Sequence, residues 1–255
     1  MIDWTRLTLF LYIAMRMSGF VLFSPLFGRR TIPGIFRAGL ILVFSVTVFS
    51  ISGAAAPVPR NLLEFMVQLV LELGLGYALG FVVNLFFYIP QLAGHTIDTQ
   101  MGLSMASTYD ASSQINSTIS TTLINVLMTL LFFAANGHYT LIRILLSSGD
   151  IVPFGAVALG SGLANAMAEL FIECTLLAVK LCFPVLAAEL IGQFGMGILM
   201  KAIPQINAFV INIELKVILG FFLLWILISP FSEFLLDAEL QMLSAVQRVL
   251  SLAAG

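Results

Sequence analysis

Residues 91–120 read QLAGHTIDTQMGLSMASTYDASSQINSTIS, and this stretch decides how the rest of the chain is understood. It lies between long apolar blocks, yet most of its residues are polar or small. His95, Asp98 and Gln100 come first, then Tyr109 and Asp110, then a run of Ser, Thr and Asn. The chain around it is 60% hydrophobic. Backbone that leaves a helix at membrane depth finds no hydrogen-bond partner in lipid. It must be buried in protein or line a water-filled space. The composition therefore predicts a loop over residues 107–117 beside a protein-lined passage.

The flanking chain fits that setting. Only 9% of the 255 residues are charged, and the mean hydropathy is +1.07. Soluble domains carry about a quarter charged residues. The fold class expected is all-α and polytopic, in or beside a membrane. A formal charge of -2 with no basic tract argues against a nucleic-acid partner. Cys174 and Cys182 sit eight apart in one apolar block and are expected to be small core residues, not a disulfide. The first 23 residues do not make a good signal peptide. Asp3 precedes Arg6, Arg16 interrupts the apolar run, and no A-x-A site follows promptly. They are expected to be retained as a first helix.

That helix is predicted over residues 4–23, long enough to cross about 30 Å of hydrocarbon. Arg6 can snorkel from its end. Arg16 cannot, and facing lipid it would cost about 3 kcal/mol, so it is expected to face another helix or the passage. Ser24-Pro25 and the basic connector at 28–34 lead to a second helix over 35–51, completing a hairpin. A third helix is predicted over 62–89. On it Glu64, Gln68, Glu72, Gly76, Gly80 and Asn84 recur every four residues, a winding ridge that drifts about 40° per step. Gly76 and Gly80 allow close approach of another backbone. Packing is the reading this ridge favours; a proton path through Glu64 and Glu72 is the other. Pro90 is expected to end the helix.

A further helix is predicted over 92–106. His95, Asp98 and Thr99 are neighbours on it, but one His and one carboxylate are too few for a metal. A satisfied buried contact is expected instead. The next block, 119–146, holds Asn136-Gly137-His138, where Gly137 would loosen the helix. Residues 161–202 form a long block in which Glu169, Glu173 and Lys180 share a face, Pro184 introduces a kink, and Glu189 lies roughly opposite. The last strongly apolar helix is predicted over 206–228. An amphipathic helix capped by Ser232 follows over 232–252. No Walker loop, G-x-G-x-x-G, H-E-x-x-H, C-x-x-C or G-x-S-x-G occurs. No enzyme activity, cofactor or metal is expected.

Several segments taken together resemble one family. They are Pro25-Leu26-Phe27-Gly28 with Ile32-Pro33, Gln100-Met101-Gly102-Leu103-Ser104 with the polar loop around Asp110, and Leu131-Phe132-Phe133-Ala134-Ala135-Asn136-Gly137-His138 with Arg143. Pro204-Gln205-Ile206-Asn207-Ala208-Phe209, leading to Leu215-Lys216, completes the set. In this order, across nearly the whole chain, they resemble the FliR family of flagellar export proteins. The virulence-type counterpart, SctT of injectisomes, shares some of these features. The Asn-Gly-His and Pro-Gln-x-Asn-x-Phe segments favour the flagellar branch.

The resemblance implies a non-enzymatic subunit of the type III export gate in the bacterial inner membrane, at the flagellar basal body. One copy would assemble with several FliP and FliQ subunits around a channel for unfolded flagellar substrates, with FlhA-type and FlhB-type partners nearby. It implies a FliP-like part over residues 1–160, a FliQ-like part over 161–230 and the terminal helix over 232–252, built from helical hairpins. It also implies that the polar loop closes the channel as a plug. That loop is Ser107, Thr108, Tyr109, Asp110, Ala111, Ser112, Ser113, Gln114, Ile115, Asn116 and Ser117. Gly76, Gly80, Gly102 and Gly137 are expected to be places of bending or close approach. Arg16, Glu64, Glu72, Glu169, Glu173 and Lys180 are expected to make polar contacts between subunits. A different class, a stand-alone proton-coupled transporter using Glu64, Glu72 or Glu169, is the competing reading. A scaffold of the same assembly that never touches substrate is a third.

Overall fold

The computed structural model describes residues 4–28, 32–52, 59, 61–103, 119–158, 160–202 and 208–254. Among them every regular element is helical, as the apolar blocks predict. The helices are α1 (Trp4–Phe23), α2 (Gly34–Ile51), α3 (Leu62–Met101), α4 (Ile119–Ala134), α5 (Gly137–Leu146), α6 (Ser148–Ile151), α7 (Ser161–Ala202), α8 (Ala208–Ile226) and α9 (Ile228–Leu252). Four of them, α1, α2, α3 and α7, are long and apolar enough to cross a membrane. The number rises to six if the bent pairs α4–α5 and α8–α9 each make one span.

Three boundaries differ from expectation. Helix α3 continues through Pro90 for 40 residues. A proline inside a helix forfeits one backbone hydrogen bond, here to the carbonyl of Phe86. The packing stripe runs on across it, with Phe87, Ile89, Ala93, Ile97 and Met101 all buried. The block at 119–146 is two helices bent by 65°. The residue that turns the chain is Asn136, in the left-handed region at φ 59°, and Gly137 opens α5 as a buried helical residue. Asn is among the few side chains that tolerate this conformation. Finally, Ser229 and Pro230 lie in the first turn of α9 and do not end α8. Proline suits a first turn, where its missing N–H has no helical partner to lose. Ser232, expected to cap this helix, lies inside it and donates to the Ser229 carbonyl at 2.7 Å.

The chain divides into two compact units that interleave along the sequence. The first comprises Met1–Phe86, Asn136–Ile172 and Glu239–Gly255; the second comprises Phe87–Ala135 and Glu173–Ala238. In the first unit, α1 and α3 run parallel. Arg16 meets Glu72 and Gly76, and further along Phe20 and Ser24 meet Gly80. A Cβ on Gly76 would strike the Arg16 carbonyl, and one on Gly19 would strike the Leu73 carbonyl. Glycine at these crossings lets the two backbones touch. Leu9, Tyr12, Ile13, Met17, Val48 and Phe154 form a core here, with Phe65 and Leu69 packed against it. Helix α2 is the least covered, with only Ser45 and Val48 buried.

In the second unit, α3 and α4 form an antiparallel hairpin. Its contacts run from Asp98 with Ser120, through Gly94 with Thr121, to Phe87 with Phe132, whose rings meet edge to face at 5.6 Å. Helix α8 packs on the same unit. The Met101 side chain fills the space that a Cβ on Gly220 would need. Cys174 and Cys182 are both buried and free.

Candidate functional site

The candidate site is the polar segment between α3 and α4. Residues 107–117 lie outside the described residues, so the site is built here from its two ends. On the α3 side, Met101 is fully buried and Gly102 turns the chain at φ +81°. A left-handed position of this kind favours glycine because no Cβ meets the carbonyl. The Gly102 N–H donates to the Thr99 carbonyl at 3.2 Å. On the other side, α4 begins at Ile119, and its first N–H groups lack helical acceptors.

Asp98 supplies the acceptor. It is fully buried, and its carboxylate accepts the Ser120 N–H at 3.1 and 3.3 Å and the Ser120 hydroxyl as well. A carboxylate at a helix N-terminus also complements the helix dipole. Asp98 thus ties the two ends of the segment together, one turn below Gly102. Gly94 makes the tie possible, because a Cβ there would strike the Thr121 backbone. The sequence suggested Asp98 with His95 as the buried contact. In the structure His95 is exposed and Ser120 is the partner. Helical spacing pointed to His95, and the contact across the hairpin took precedence.

The second polar centre lies in the first unit. Arg16 Nε donates to Glu72 Oε2 at 2.6 Å and Nη2 donates to Oε1 at 3.1 Å, with both side chains wholly buried. Arg16 Nη1 donates to the carbonyls of Ser148 and Val152 at 3.1 and 3.0 Å and to the Ser148 hydroxyl at 3.2 Å. Glu72 Oε1 also accepts the Gly155 N–H at 2.7 Å. The Phe154 ring lies 4.3 Å from the guanidinium carbon, at cation–π distance. Gly149 leaves room for that ring, and Gly155, at φ +82°, turns its N–H to the carboxylate. Burying two charges is costly unless every lone pair and proton finds a partner. This cage gives each guanidinium nitrogen and both carboxylate oxygens at least one partner. Arg16 and Glu72 were expected to reach neighbouring subunits, but they meet each other inside the chain. Ser148, Val152, Phe154 and Gly155 were not singled out from the sequence. The one available signal was the Gly-Asp-Ile-Val-Pro-Phe-Gly turn composition.

The other predicted contact residues lie on the surface of the chain, whereas Glu189 is buried. Glu64, Glu173 and Lys180 are exposed. Glu169 is exposed and pairs with Arg248 at 3.1 Å, with 65% and 58% of the two side chains accessible. No cluster of three or more His, Cys, Asp or Glu side chains able to hold a metal occurs among the described residues.

The arrangement is a set of long apolar helices in which Asp98 and Ser120 join the two helix ends that flank a polar sequence. A family model described as bacterial export proteins, family 1, matches residues 7–242. The chain belongs to the bacterial export proteins, family 1. The flagellar biosynthetic protein FliR of Escherichia coli (strain K12) is 28% identical over 243 residues, covering 94% of this chain and 93% of that protein. FliR of Bacillus subtilis (strain 168) is 27% identical over 228 residues, 86% of each chain. FliR of Caulobacter vibrioides is 26% identical over 215 residues, covering 84% and 86%. The resemblance to the FliR family read from the sequence is borne out over most of the chain. With its long apolar helices, this member of the export family is a multi-pass membrane protein.

Proposed function

We propose that the chain is a non-enzymatic subunit of the flagellar type III export gate. One copy assembles with FliP-type and FliQ-type subunits, and together they enclose the channel through which unfolded flagellar proteins leave the cell. FlhA-type and FlhB-type proteins are the neighbouring partners, and energy for transport comes from them and from an ATPase. The location is the bacterial inner membrane at the flagellar basal body. The FliP-like part corresponds to residues 1–160 and the FliQ-like part to 161–230.

One observation carries this reading. Within a chain matched by an export family over residues 7–242, a polar segment springs from two helices whose ends are tied by Asp98 and Ser120. In the proposed mechanism residues 107–117 are the plug. Rich in Ser, Thr, Asn and Ala, the plug blocks by filling space and by hydrogen bonding. Gly102 provides the bend at its root. Glu173 and Lys180, exposed on an apolar helix, meet polar groups of neighbouring subunits, because charge facing lipid costs about 3 kcal/mol. The transporter reading loses one of its carboxylates, since Glu72 is held by Arg16.

The test is deletion of residues 109–113 in the assembled gate. The mutant gate is expected to leak ions or small solutes across the membrane. An assembled deletion mutant as tight as wild type would overturn the plug assignment.

A further inference from the structure

The exposed face of α3 changes chemistry along its length. Near the start it shows aliphatic side chains, with Leu63 78% and Val70 64% accessible. In the second unit the exposed positions of the same helix are Tyr88, Gln91, His95 and Thr99. Their spacings of three, four and four residues put them on one face. The other side of this stretch is buried and, apart from Asp98, apolar. The outward stripe therefore offers a hydrogen-bonding group at each turn over about 16 Å of helix. The Thr99 hydroxyl donates to the His95 carbonyl at 2.8 Å, and its lone pairs remain available. Apolar-inside and polar-outside is the pattern of a helix beside water, the reverse of one beside lipid. The stripe also leads directly into the polar sequence that begins after Leu103.

We infer that Tyr88, Gln91, His95 and Thr99 form part of the wet wall along which an extended polypeptide passes. The inference rests on the export reading above and names the surface that the substrate meets. The chemistry fits an occupant of variable sequence. Every extended chain presents backbone N–H and C=O groups, and the stripe supplies donors and acceptors for them. It carries no permanently charged side chain that would hold an acidic or a basic segment in place. Transport needs contacts favourable enough to admit the chain and weak enough to release it.

The experiment uses single variants Gln91→Cys, His95→Cys and Thr99→Cys, with Leu63→Cys and Val70→Cys as comparators, in the full complex in native membranes. The native Cys174 and Cys182 are buried and give little background. A charged methanethiosulfonate reagent is applied to membranes opened on both faces. Thiolate is the reactive species, and a thiol held in hydrocarbon stays protonated. Stripe cysteines should therefore label at least about ten-fold faster than the comparators. A flagellar export substrate fused to a tightly folded domain, stalled in transit, should slow that labelling again. Stripe cysteines no faster than Leu63→Cys and Val70→Cys would overturn the inference. So would fast labelling that a stalled substrate leaves unchanged. A deletion strain separates this from failure of the export reading. Secretion that continues without this chain overturns that reading, whereas secretion lost with an unlabelled stripe overturns the stripe alone.

Discussion

Arg16 and Asp98 are both charged, both wholly buried and both set in apolar helices. They serve different ends. Arg16 joins parts of the chain distant in sequence, 56 residues from Glu72 and 136 from Val152, in a cage that answers most of its donors. Asp98 reaches 22 residues to Ser120, across the mouth of one hairpin. The first contact holds a unit together. The second costs charge burial to fix where a polar segment starts and stops. Buried charge in an apolar chain is thus not one signal. Its meaning depends on whether the partners close a core or join the two ends of a hairpin.

The largest effect that could break this contrast lies at Arg16. Arg16→Met leaves the Glu72 carboxylate buried without its cation, which costs about 3–5 kcal/mol. The variant should fail to accumulate in membranes. Replacing both partners, as Arg16→Met with Glu72→Leu, should recover a substantial part of the loss. Equal accumulation of the single variant and wild type would show that the cage does not hold the unit. A smaller effect is expected at Asp98. Asp98→Asn keeps the shape and loses the charge, at a cost of up to about 1.5–3 kcal/mol, the contribution of hydrogen bonds to a charged group. The chain should still accumulate, while the gate leaks ions more than wild type. Loss of accumulation matching that of Arg16→Met would erase the distinction between the two centres. The smallest effect belongs to Glu169 and Arg248. Their pair is well exposed, and such pairs contribute about 0–1 kcal/mol. Arg248→Ala should accumulate as wild type does and leave the thermal midpoint of the detergent-solubilised chain within a few degrees of it.

Much of the fold was legible because apolar length and proline or glycine punctuation speak locally. The span of α1, the α1–α2 hairpin and the full extent of α7 follow from such runs. What the sequence hid depends on contacts far apart in the chain. The continuity of α3 through Pro90 follows from packing on both sides, which local propensity does not carry. The turn at Asn136 was displaced by one residue because Gly137 looked like the more permissive position. The cage around Arg16 was half visible, since the cost of a lipid-facing Arg demanded a partner. Nothing local named Glu72 as that partner or placed Phe154 and Gly155 around the pair. At the candidate site the anomaly of the polar stretch was plain, but Ser120 was hidden as its anchor. The stripe of Tyr88, Gln91, His95 and Thr99 was hidden by the expectation of a break at Pro90, which split its helix in two.

The central claim is that this chain works as one subunit of a hetero-oligomeric gate. Native mass spectrometry in mild detergent, with and without the FliP-type and FliQ-type proteins of the same genome, tests it most directly. The account predicts a single copy of this chain inside a large hetero-oligomer. A stable, homogeneous monomer or dimer that ignores those partners would contradict it.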